Sequence, residues 1–209
     1  MDPDAVLRNA PWRVALTFDA EHPDRPTEPG VHAAIVETLA RLDLRATFFL
    51  QGRWVEAYPD LARALPAAGH LVGSHSFYHA RMPLLSRTGF ATDVRAAEQV
   101  IRDIAGVDPR PWFRLPFGSG EGRRAIHDRL AELGYRHVPW HADGKDWDPA
   151  MSPRRLEGRL VRGTLAHGDG AIVLLHSWPR TTRAVLEPVV SRLRDAGATF
   201  VTVDELGLA

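Results

Sequence analysis

The chain contains no cysteine, which removes disulfide staples, a thiolate nucleophile and thiolate metal sites together. Any metal must therefore sit on histidine and carboxylate ligands, and ten histidines are present to supply them. Net charge is missing as well: 26 Lys and Arg balance 26 Asp and Glu, so the electrostatic footprint expected of a protein that binds nucleic acid or an anionic membrane is absent. No apolar run reaches the roughly 18 residues of a membrane span. Neither a Gly-x-Gly-x-x-Gly nor a phosphate-loop pattern occurs, which weighs against a nucleotide site. Low-complexity segments and composition breaks are also lacking, so a single domain over residues 1–209 is expected. The stretch Met1 to Pro11 has neither the basic start nor the apolar centre of a signal peptide, so the cytoplasm is the expected location. The expected partner is a small molecule or an oligosaccharide, and the sequence leaves the oligomeric state open.

What is present describes a globular α/β protein. Hydrophobic residues at 44% and charged residues at 25% of 209 positions are ordinary proportions for a chain with a substantial core. Seven short apolar, β-branched or aromatic runs read as strands: 13–18, 45–50, 70–73, 111–115, 135–140, 171–175 and 199–203. Amphipathic stretches at 31–42, 59–68, 88–105, 120–133, 153–165 and 180–196 read as helices. Gly69, Gly106, Gly134 and Gly197 fall where helices should close through a left-handed residue. Strands alternating with helices predict parallel pairing. About seven such units predict a distorted (β/α) barrel, with an open doubly wound sheet as the competing topology.

The polar residues that could carry chemistry follow the strands. Asp19 and Glu21 come after the first, His75 and His79 after the third, Arg114 at the end of the fourth, Asp143 and Asp146 after the fifth, and His176 after the sixth. Parallel strands direct their carboxyl ends to one side, so separate loops can build one site there. His75 and His79 lie in His-Ser-Phe-Tyr-His, a spacing that stacks both rings on one face if the segment is helical. Two histidines and a carboxylate are a recurring zinc set with room for water. Asp19 and Glu21, two apart on extended chain, point the same way and can address one pocket. Trp112, Trp147 and Trp178 read singly as packing.

Ala46-Thr-Phe-Phe-Leu together with Gly69-His-Leu-Val-Gly-Ser-His-Ser-Phe-Tyr-His79 resembles the polysaccharide deacetylase family (carbohydrate esterase family 4, the NodB-homology domain). These are metal-dependent esterases that remove N-acetyl groups from sugars. Four further segments match its motifs in order: Thr17-Phe-Asp19, Arg114-Leu-Pro-Phe-Gly118, Asp143-Gly-Lys-Asp-Trp147 and Leu174-Leu-His-Ser177. The resemblance implies a distorted seven-stranded (β/α) barrel. It implies Asp19 as general base, His75 and His79 as metal ligands, His176 as general acid, Arg114 orienting the base and Asp146 orienting His176. It also implies an oxyanion contact from the backbone N–H of Phe117, and an acetyl pocket shaped by Trp147 and Leu174. The usual first motif carries two adjacent aspartates, the second a metal ligand; that position is Ala20 here, and Glu21 is expected to supply the missing ligand.

Zinc is the expected metal, with cobalt, nickel, manganese or iron compatible with the same ligands. The expected substrate is an acetamido sugar or a small N-acyl metabolite. The alternatives are a relative that hydrolyses a cyclic amide or imide with much the same residues, and a carbohydrate-binding barrel that lost its chemistry through Ala20.

Overall fold

The computed structural model describes residues 12–22 and 30–208; the Met1 to Pro11 stretch read above for a leader lies outside them. The described residues divide into two compact units, one comprising 12–18, 30–47 and 140–208, the other 19–22 and 48–139. Strand β1 (Trp12–Ala20) begins in the first unit, and its last two residues, Asp19 and Ala20, belong to the second.

In the first unit, β1 runs parallel to β8 (Ala198–Val201), with Trp12 opposite Ala198 and Ala15 opposite Val201. On its other side β1 neighbours β7 (Ala171–His176). Strand β7 in turn pairs in parallel with β6 (Ala142–Asp143), which puts Asp143 opposite Leu174. The connecting helices are α1 (Val31–Arg41), α6 (Pro153–His167) and α7 (Arg180–Asp195). Helix α7 shows how the sequence builds them: Thr182, Val185, Leu186, Val189, Val190 and Leu193 recur at three- and four-residue spacing, and all are buried.

The second unit holds most of β2 (Thr47–Leu50), which neighbours β3 (Leu71–Ser74); β4 (Trp112–Phe113) pairs in parallel with β3 and with β5 (Arg136–His137). Its helices are α2 (Gly52–Ala57), α3 (Pro59–Ala67), α4 (Arg87–Ala105) and α5 (Arg124–Glu132). Ser86 caps α4 by accepting the N–H of Gly89 at 3.0 Å, and Gly106, with φ 73°, closes it. Phe90, Val94, Phe113, Leu115, Ile126, Leu130 and Tyr135 form one buried cluster with Met82. Asp93 lies on the same buried face of α4.

The fold class is α/β, of the distorted-barrel type expected. All seven expected strands form, though β4 and β5 are only two residues long, and β6 makes an eighth among the described residues. All six expected helices form; α2 is additional. Gly69, Gly106, Gly134 and Gly197 all have φ between 73° and 89°.

Candidate active site

The second unit gathers one acidic and two imidazole side chains at a point. Glu21 Oε2 lies 2.5 Å from His79 Nε2 and 3.3 Å from His75 Nε2. Potential ligand atoms of the three residues all fall within 4.8 Å of one another. Glu21 and His75 are 4% and 1% exposed, and buried ionisable groups persist only when paired or bound to a cation. The donor chemistry fits a divalent ion. His75 Nδ1 lies 2.9 Å from the carbonyl oxygen of Arg114; a carbonyl can only accept, so Nδ1 carries the proton and Nε2 presents its lone pair. Burial opposes a charge on His75, but the carboxylates of Asp19 and Glu21 outweigh it and its pKa is raised. Burial prevails at His79, whose pKa is lowered despite its contact with Glu21.

The two histidines do not meet on a helix, as their spacing alone would suggest. Residues 75–80 form a loop in which Ser76 and His79 adopt left-handed φ angles of 62° and 57°. Two hydrogen-bond sets hold this conformation, which L-residues seldom adopt. The Asp93 carboxylate accepts the N–H groups of Phe77 and Tyr78 at 3.0 and 3.1 Å, and Ser76 Oγ accepts the N–H of His79 at 2.9 Å. The loop also packs against Gly52, where an added Cβ would lie 2.3 Å from the Phe77 ring. The imidazole centroids end 4.8 Å apart.

Beside this cluster Asp19 is 3% exposed and Arg114 fully buried. Arg114 Nη1 donates to Asp19 Oδ1 at 2.9 Å, while Asp19 Oδ2 faces His75 Nε2 at 3.5 Å. The guanidinium also donates through Nε to the Val138 carbonyl at 3.3 Å and stacks 4.1 Å over the Phe49 ring. Burial lowers the Arg114 pKa against the pull of Asp19. Ala20 is buried and offers no ligand; Glu21 stands at the cluster. Phe117 takes a left-handed φ of 59° in the turn Pro116–Gly118, and its half-exposed ring lies 4.4 Å from that of His79.

The first unit contains a second constellation. Asp146 accepts the backbone N–H of His176 at 2.7 Å through one oxygen and faces its Nδ1 at 2.7 Å with the other. The hydroxyl of Thr182 donates to Asp146 at 2.5 Å. An ionised carboxylate only accepts, so Nδ1 holds a proton and Nε2 is the nitrogen left to exchange one. Leu174 is buried in β7, whereas Trp147 is 45% exposed. Asp143 accepts the N–H of Lys145 at 2.7 Å, a local turn contact.

His22, Gln51, Asp93 and Thr182 were not found by sequence reasoning. His22 Nε2 lies 2.8 Å from Glu21 Oε1, and its N–H donates to Gln51 Oε1 at 2.9 Å. Asp93 left a signal: it is an acid set within the apolar stripe of α4.

The family description "Polysaccharide deacetylase" matches residues 8–138. A peptidoglycan-N-acetylglucosamine deacetylase of Listeria monocytogenes is 34% identical over 196 residues, 93% of this chain and 38% of the Listeria protein. The chain thus spans about two fifths of that relative's length. Two solved structures are similar: a family 4 carbohydrate esterase from Streptomyces lividans in complex with acetate (TM-score 0.78, 29% identity, 90% of this chain and 91% of that one) and a family 4 pseudoenzyme from Bacillus anthracis (TM-score 0.83, 28% identity, 95% and 66%). On the match across more than half its residues, this chain belongs to the polysaccharide deacetylase family.

Proposed function

We propose that the chain is a metal-dependent hydrolase that removes the N-acetyl group from an acetamido sugar, within an oligosaccharide or a polymer. The observation that carries this reading is the convergence of Glu21, His75 and His79 beside an Asp19 clasped by Arg114. Similarity to the peptidoglycan-N-acetylglucosamine deacetylase of Listeria monocytogenes supports the substrate class. Tyr78 and Phe117, 65% and 54% exposed next to His79, offer apolar faces suited to a sugar ring.

Glu21, His75 and His79 would hold a divalent ion, zinc first among those compatible, which would supply an acidified water with a pKa of about 7 and a Lewis acid for the acyl oxygen. Asp19 takes the proton of the attacking water. Arg114 fixes the carboxylate through Oδ1 and leaves Oδ2 for that transfer. The departing amine needs a proton as the C–N bond breaks, and His176 Nε2 donates it while Asp146 steadies the ring through Nδ1. The Phe117 N–H would contact the oxyanion, and Trp147 and Leu174 would shape the acetyl pocket.

Acetate release from N-acetylglucosamine oligomers, measured with zinc and after chelation, tests the reading together with zinc content. Zinc-dependent release that falls with Glu21→Ala is expected; undiminished zinc in Glu21→Ala removes Glu21 from the ligands. Zinc bound without acetate release would instead favour a non-hydrolytic sugar-binding role, to which Ala20 in the first motif lends weight. Turnover confined to cyclic ureides would favour the cyclic-amide alternative.

A further inference from the structure

We propose that His22 is a positioning residue that makes glutamate at position 21 work as a ligand; this rests on the metal-site reading above. A glutamate carries one more rotatable bond than an aspartate and two equivalent oxygens, so without restraint its carboxylate spreads over several orientations. Here the orientation is fixed. His22 Nε2 lies 2.8 Å from Glu21 Oε1, which leaves Oε2 directed at His75 and His79. Since an ionised carboxylate only accepts, Nε2 of His22 must carry the proton in this contact.

His22 is itself held. Its backbone takes a left-handed φ of 57°, its N–H donates to Gln51 Oε1 at 2.9 Å, and its ring meets that of His79 nearly edge-on at 4.6 Å. Gln51 is buried at the N-terminus of α2, and its own N–H donates to the Ala20 carbonyl at 3.0 Å. The ends of β1 and β2 thereby form a relay from Gln51 through His22 to Oε1 of the Glu21 carboxylate, opposite the oxygen that faces His75 and His79. His22 is not itself in the ligand group, which comprises Glu21, His75 and His79.

The test compares the full chain with His22→Ala, His22→Gln and Glu21→Ala, reading zinc affinity by chelator competition and the number of bound imidazoles by X-ray absorption. His22→Ala is expected to weaken zinc binding about 10- to 100-fold while the imidazole count stays at the wild-type value. His22→Gln, whose amide N–H₂ can occupy the place of Nε2, is expected to recover most of that loss. Thermal unfolding of the metal-free proteins checks that each variant folds. Unchanged zinc affinity in His22→Ala, failure of His22→Gln to improve on it, or a fall of one in the imidazole count overturns the proposal. If Glu21→Ala binds zinc like the wild type, the metal-site reading itself fails; if Glu21→Ala weakens zinc but His22→Ala does not, only the positioning role is lost.

Discussion

Arg114 meets His75 through its main chain and Asp19 through its side chain: the carbonyl receives His75 Nδ1–H at 2.9 Å and the guanidinium grips Asp19 at 2.9 Å. One buried residue therefore sets both the tautomer of a candidate ligand and the direction of the candidate base. The carbonyl contact survives any substitution that keeps the backbone in place, while the guanidinium contact does not. Arg114→Met should strand the Asp19 carboxylate in the interior and destabilise the fold by about 3–5 kcal/mol. Arg114→Lys should recover little, because an ammonium cannot reproduce the planar fork. Chemical denaturation measures this, and a loss below about 1 kcal/mol for Arg114→Met would contradict it.

His176 is tied to Asp146 through its ring and its backbone, and Thr182 holds the same carboxylate. If His176 is the acid, His176→Ala should retain zinc and lose roughly a hundredfold to ten-thousandfold in turnover. Steady-state kinetics alongside metal analysis checks both halves. Near wild-type turnover would exclude His176 from proton transfer.

Asp93 acts on the ligand loop through the N–H groups of Phe77 and Tyr78. Asp93→Ala removes both acceptors, and each hydrogen bond to a charged group contributes about 1.5–3 kcal/mol. The expected outcome is a lower melting temperature together with weaker zinc binding, because the left-handed turns that aim His79 lose their support. A variant that melts lower but binds zinc as tightly as the wild type would show that Asp93 serves the fold and not the loop.

His137 predicts an acid sensitivity. Its pKa is pushed down to about 4, first by burial and then by the nearby charge of Arg114. Its Nδ1 accepts the N–H of Leu115 at 3.3 Å, which suits the neutral ring. The unfolded chain takes up this proton near pH 6.5 and the native one only near 4, so the contribution is fully present above about 6.5 and is lost as pH falls through that interval. The loss is about 3 kcal/mol by pH 4. Denaturation across this range with His137→Gln should show a shallower decline than the wild type; equal slopes would assign the acid sensitivity elsewhere.

The helices were legible because their cores are long periodic runs, as in α4 and α7, and the expected strands because they are short apolar runs. The two-residue β4 and β5 were legible only because they lie within apolar runs; β6, set between His141 and Gly144, and the six-residue α2 lie in no such run. Asp19, Glu21, His75, His79, Arg114, Asp146 and His176 were visible as polar residues at strand ends. Their partners were hidden by sequence distance: Asp93 is 16 residues from Phe77, and Thr182 is 36 from Asp146.

The sequence by itself determined the fold class, the order of the elements and the pool of candidate ligating side chains, because hydrophobic period, helix-closing glycines and the absence of cysteine are local properties of the chain. Only the tertiary structure decided how those side chains are aimed. It brings His75 and His79 together through a loop with left-handed residues, held by Asp93, instead of a helix, and sets Glu21 against a His22 whose backbone is held by Gln51. The physical reason is that a side chain's orientation is set by hydrogen bonds and packing from residues remote in the chain, and no local pattern records them.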